Sequence, residues 1–122
     1  MKTRTRFGKY GVSAKQDRTW DDIVFASKAE MMRYCELKLA FRGRAIKNFD
    51  RQPTIVLTKY VKYKPDFYVA DSDGEHFEDV KGVTTERFRV IKQLWREFGP
   101  APLVILKRKG GSWTREIVQG KP

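Results

Sequence analysis

The sequence predicts an α/β fold: two helices packed on a mixed central sheet, in the order helix, three strands, helix, one or two strands. Three observations carry this. Ser27-Lys28-Ala29-Glu30 is a capping box, and Glu30, Tyr34, Leu37 and Phe41 recur after it at helical spacing until Gly43. Residues 63–69 and 76–81 are short strand-forming runs on either side of the turn sequence Asp71-Ser72-Asp73-Gly74. Thr84-Thr85-Glu86 caps a second helical run, in which Phe88, Ile91, Leu94, Trp95 and Phe98 form one apolar stripe before Gly99-Pro100 stops it.

The elements follow in chain order. Residues 1–18 carry Lys2, Arg4, Arg6, Lys9, Lys15 and Arg18 against the single acid Asp17. They read as a flexible basic arm, either a solvated tail or a segment that tracks phosphates. Residues 19–122 read as one domain, opening with a short apolar lead-in from Trp20 to Phe25 and then the first helix. Pro53-Thr54-Ile55-Val56-Leu57-Thr58 reads as a strand expected to pair with residues 62–70, with Gln52 at its start either contacting substrate or, the favoured reading, holding a turn. The second helix bears Arg87, Arg89, Lys92 and Arg96, a solvated basic face suited to DNA. Leu103-Val104-Ile105-Leu106 has the composition of a buried strand, Lys107-Arg108-Lys109-Gly110-Gly111 that of a basic turn, and residues 113–118 close the chain as a final strand.

Composition bounds the function. The 122 residues suffice for one core and leave no room for a separate recognition domain. Lys and Arg number 26 against 15 Asp and Glu, a formal charge of +11, which favours a polyanionic partner. Nucleic acid is the first candidate. A membrane surface is second, but no stretch approaches the ~20 apolar residues of a spanning helix and no apolar signal core follows the N-terminus, so a cytoplasmic protein is expected. Cys35 is the only cysteine, which excludes an intrachain disulfide and a Cys-rich zinc site and leaves a packing role. His76 is the only histidine and reads as structural or solvent-facing beside the turn.

The chemistry concentrates around the central turn. If a plain two-residue loop joins the strands, Asp71 pairs with Gly74, and equal steps outward set Asp66 across from Asp79 with β-carbons roughly 4.5–5.5 Å apart. Lys81 lies two residues further and shares the face of Asp79. A type I turn with a glycine bulge would instead set Asp66 opposite Val80 and make Glu78 the reserve ligand. Two carboxylates on adjacent strands suit Mg²⁺, a hard cation that polarises phosphate and water, and the lysine would orient the attacking water or hold phosphate oxygens. Glu30 sits on an apolar stripe. Either its capping bond explains it, or it reaches a second side of the metal site.

These residues resemble the PD-(D/E)xK nuclease superfamily over roughly residues 20–106. Pro65-Asp66 matches the first acid, Asp79-Val80-Lys81 the second acid and lysine, and Glu30 the helical glutamate found before them. The stretches Phe25-Ala26-Ser27-Lys28-Ala29-Glu30 and Glu78-Asp79-Val80-Lys81-Gly82 look especially like small phage-encoded members. The resemblance implies a restriction-endonuclease-like α-β-β-β-α-β core, and it implies Mg²⁺, with Mn²⁺ as a substitute, held by Asp66, Asp79, the Val80 carbonyl and Glu30. Lys81 would align or activate water. Many members carry Glu where this chain has Asp79, which weakens the expectation of two metals.

Small basic members of the superfamily include Holliday-junction resolvases, so the expected enzyme is a homodimer cutting branched DNA, with Met31, Met32 or Trp113 available for pairing. Phosphates would be met by Lys2, Arg4, Arg6, Lys9, Arg87, Arg89, Lys107, Arg108 and Lys109. A nuclease for ordinary duplex or single-stranded DNA, and a nucleic-acid-binding module with an idle site, are the competing readings.

Overall fold

The computed structural model describes residues 13–122. The chain divides into two compact units, residues 1–39 and 40–122.

In the first unit, Lys15–Arg18 forms a 3-10 helix within the stretch expected to be an arm. The apolar lead-in is a small hairpin, β1 (Thr19–Trp20) with β2 (Ile23–Val24). Its two loop residues, Asp21 and Asp22, both have positive φ, 53° and 62°. That is the backbone a tight primed hairpin turn demands, and Asp is among the side chains that tolerate it. Asp21 then accepts a hydrogen bond from the Tyr34 hydroxyl at 2.9 Å and pairs with Lys38, tying the hairpin to the helix α1 (Lys28–Arg42). Ser27 caps the start of α1, its Oγ accepting the Glu30 N–H at 3.0 Å. Glu30, Tyr34 and Leu37 are its buried stripe.

The second unit carries a mixed five-stranded sheet. In chain order its parts are β3 (Asn48–Arg51), β4 (Ile55–Thr58), β5 (Val61–Tyr63), β6 (Phe67–Asp71), β7 (Gly74–Val80), α2 (Glu86–Phe98), β8 (Leu103–Lys109) and β9 (Ser112–Val118). The sheet order is β3-β6-β7-β8-β9, with only the β7/β8 pair parallel. A parallel neighbour requires a crossover, and α2 supplies it. Thr85 caps α2 by accepting from the Phe88 N–H at 3.1 Å, and Gly99 closes it by donating to the Trp95 carbonyl at 2.7 Å.

One pairing differs in part from expectation. The strand of residues 55–58 does pair with the start of the run 62–70, Ile55 opposite Tyr63 and Val56 opposite Lys62, but that pair is a separate two-stranded sheet, and the rest of the run, β6, pairs with β3. Proline explains the break: Pro65 has no N–H to give a ladder and splits the run 62–70 into β5 and β6. At Gln52, whose φ is 51°, the chain turns out of β3, and the Gln52 N–H donates to the Asp66 carbonyl at 2.9 Å. A second difference is smaller: Lys107, Arg108 and Lys109 finish β8, and the turn proper is Gly110-Gly111, with φ of 57° and 84°.

The core of this unit lies between one face of the sheet, the β4–β5 pair and α2. It gathers Leu57, Tyr63, Phe77, Phe88, Ile91, Trp95, Leu103, Ile105 and Val118. Trp95 is fully buried, edge-on to Phe77 and Tyr63 with ring centroids 5.5 and 5.9 Å away, and its indole N–H donates to the Ala101 carbonyl at 2.8 Å.

Candidate active site

The turn between β6 and β7 decides the register. Asp71 pairs with Gly74, so the loop is the plain two-residue one, and the ladder runs outward to Phe67 opposite Glu78. Asp71 Oδ1 accepts from the Asp73 N–H at 2.8 Å, the local bond that makes aspartate a turn former. One further step levels Asp66 with Asp79. The ladder stops before that step because the Asp66 side chain takes over: its Oδ2 accepts the Val80 N–H at 2.7 Å. Asp66 is thus fixed at the end of the strand by its carbonyl, bonded from Gln52, and by its carboxylate, bonded from Val80.

Strand alternation sends Asp79 and Glu78 to opposite faces of β7. Asp79 shares its face with Phe77 and is 3 % exposed. Its Oδ2 accepts the Tyr63 hydroxyl, and its Oδ1 lies 3.4 Å from the Lys81 ammonium. Lys81 continues the parallel pairing past β7, its N–H bonded to the Leu106 carbonyl at 2.9 Å, while its ammonium stands 4.3 Å from the centre of the Phe88 ring. That ring contact holds the cation beside Asp79 without neutralising it. On the other face, Glu78 is fully buried between Phe67 and Val104 of the neighbouring strands and lies 2.8 Å from His76 Nε2. His76 therefore partners a buried carboxylate.

Burial raises the Asp66 carboxyl above its ordinary range. The Val80 N–H, Lys81 and Arg51 pull it back, and Glu78 pushes it further up. Burial pushes Asp79 up to about 6, with Lys81 opposing through its charge and its bond. Lys81 acts on both acids, so it is the group that links them.

The Asp79 shift has a measurable sign. Between the ordinary value of 3.8 and about 6, the folded chain keeps a proton that the unfolded chain has released. The stability from this group is full below about pH 4 and falls as pH rises through about 6, by on the order of 2–3 kcal/mol. Urea unfolding of metal-free protein at several pH values should show wild type losing stability over that range relative to Asp79→Asn. Parallel pH profiles for the two would refute the buried, proton-holding carboxyl.

Glu30 belongs to the first unit and Asp66, Asp79 and Lys81 to the second. Among the described residues no group of three or more His, Cys, Asp or Glu is arranged to hold a metal ion. Two carboxylates with water and substrate oxygens nevertheless fit Mg²⁺, which uses one or two protein carboxylates and keeps much of its hydration. Of the residues expected to meet phosphate, Arg87 and Arg89 are exposed on α2, with Arg89 paired to Glu86 at 2.5 Å. Lys107 and Lys109 are exposed on β8, and Arg108 lies over the Trp113 ring at 4.9 Å. Lys2, Arg4, Arg6 and Lys9 lie outside the described residues. Tyr63 was not legible as a site residue, because its hydroxyl reaches Asp79 only through the separate β4–β5 pair.

No helix among the described residues is long and apolar enough to cross a membrane. A family model described as "Protein of unknown function (DUF1064)" matches residues 8–100. No curated protein and no solved structure matches the chain.

Proposed function

The chain belongs to the DUF1064 family, and from its own residues we propose that it is a Mg²⁺-dependent DNA endonuclease of the PD-(D/E)xK type, acting in the cytoplasm as a homodimer on branched DNA such as a Holliday junction. The observation that carries this reading is the grouping at the end of β7, where the Asp66 carboxylate is bonded by the Val80 N–H at 2.7 Å and the Lys81 ammonium stands 3.4 Å from Asp79. Asp66 and Asp79 would hold the cation, with the Val80 carbonyl as a further donor. When bound, the metal supplies Lewis acidity and lowers the pKa of its water.

The chain's own groups prepare the site. The Val80 N–H fixes Asp66 and the Tyr63 hydroxyl fixes Asp79, so neither carboxylate must be reoriented when phosphate arrives. The Lys81 ammonium, held against Phe88, is placed to orient water or to bind a phosphate oxygen as negative charge grows. The net charge of +11 supplies sequence-independent attraction to DNA.

Incubating purified protein with labelled four-way junction, fork and linear duplex, each with Mg²⁺ or EDTA, tests the reading. Cleavage of the junction in Mg²⁺ alone is expected. Equal cutting of all three substrates would remove the preference for branches and leave a general nuclease. No metal-dependent cutting of any would leave a binding module.

A further inference from the structure

The β4–β5 hairpin is the part of the second unit whose construction the catalytic residues do not explain. One face, Ile55, Leu57, Val61 and Tyr63, packs into or against the core. The rest is turned outward. Val56 is paired with Lys62 and 59 % exposed, and the two-residue loop Lys59-Tyr60 carries a tyrosine that is 85 % exposed. The Tyr60 N–H bonds to Thr58 Oγ1 at 3.2 Å, which fixes the loop, and the Lys59 ammonium stands 5.4 Å from the Tyr60 ring centre. From Gln52 to Lys64 there are three lysines, Lys59, Lys62 and Lys64, and no acid. All three are exposed.

We propose that this hairpin is a nucleic-acid-strand contact, in which Tyr60 stacks on an unpaired base and Lys59, Lys62 and Lys64 meet the flanking phosphates. An exposed aromatic ring among cations is the chemistry of a single-strand stacking platform: every base offers a π-face, and lysines follow the backbone without reading sequence. A base inside an intact duplex has no free face. The hairpin therefore selects DNA with unpaired nucleotides, as at a fork or an opened branch point. Its far end is Tyr63, the residue that bonds Asp79, so the strand it holds is delivered beside the site carboxylates. This deepens the nuclease reading and rests on it for the choice of DNA.

Binding in EDTA separates the two ideas, because it needs no cleavage. Forked DNA with 2-aminopurine at the unpaired positions next to the branch is titrated with wild type, Tyr60→Ala and Tyr60→Trp, and linear duplex serves as control. Wild type should quench the fluorescence. Tyr60→Ala should bind the fork roughly tenfold more weakly with little change on duplex, and Tyr60→Trp should restore binding. Lys62→Ala and Lys64→Ala should each flatten the salt dependence of fork binding by about 0.7 in log–log slope. Tyr60 is a surface residue, so unchanged thermal unfolding of Tyr60→Ala is expected and confirms that its binding is that of folded protein. Fork binding by Tyr60→Ala equal to wild type, with quenching intact, would overturn the proposal and leave the hairpin to a protein partner. If wild type cleaves nothing but these binding differences persist, the nuclease reading fails and the hairpin contact stands.

Discussion

Asp66→Asn should abolish Mg²⁺-dependent cleavage while leaving DNA binding in EDTA within about twofold of wild type. Asparagine keeps an oxygen that can accept the Val80 N–H, so the strand end retains its shape and only the anionic donor is lost. Removing an outer partner of a metal ligand typically costs about 10–100-fold, and removing a ligand itself should exceed that. Single-turnover cleavage of a labelled junction gives the number. A loss below about tenfold would show that Asp66 is a strand-end cap and nothing more. Glu30→Gln belongs in the same assay: glutamine preserves the capping bond, so a large loss would assign Glu30 to the metal and unchanged activity would assign it to the helix.

The largest effect on stability should come from Trp95→Ala. Trp95 is fully buried against Phe77 and Tyr63, and truncating such a residue typically costs about 3–5 kcal/mol in lost burial and residual cavity. Domains of this kind have only about 5–15 kcal/mol in total, so the melting temperature should fall by on the order of 10–30 °C. Urea unfolding gives the loss directly, and a change under about 1 kcal/mol would mean that the cluster beneath α2 is not the core. Tyr63 leans on Trp95 and bonds Asp79, so the surviving folded fraction should also cut more slowly. That links packing to chemistry through a single ring.

Both helices were legible because their signals are local. Ser27 and Thr85 cap them, the apolar stripes have helical spacing, and Gly99 ends the second. The turn between β6 and β7 was legible too, but its sequence allows two registers, and the pairing of Asp71 with Gly74 selects the plain two-residue loop. Strand β3 was not, since Asn48-Phe49-Asp50-Arg51 is an edge strand with little apolar content and is recognised only by its pairing with β6. The pairing of β4 with the start of the run 62–70 was legible, but the break of that run was not, because residues 62–70 look continuous until the missing N–H of Pro65 is counted. At the site, alternation alone separates Glu78 from Asp79. What it could not reveal is which atoms hold each acid, because the Val80 N–H and the Tyr63 hydroxyl arrive from structure distant in sequence.

The parallel pairing of β7 with β8 bears on when the strand carrying Asp79 is fully paired. β7 joins β6 through a two-residue loop, a step of about 1–10 μs, but its other neighbour comes only after the α2 crossover. On a ribosome adding about 5–20 residues per second, Lys81 emerges a few seconds before the end of β8. During that interval the strand carrying Asp79 presents an open edge, and the Lys81 N–H still lacks its Leu106 partner. The order of synthesis thus delays the full pairing of β7 until the C-terminal strands have docked, and a nascent chain exposes a sticky edge before Lys81 has its backbone partner.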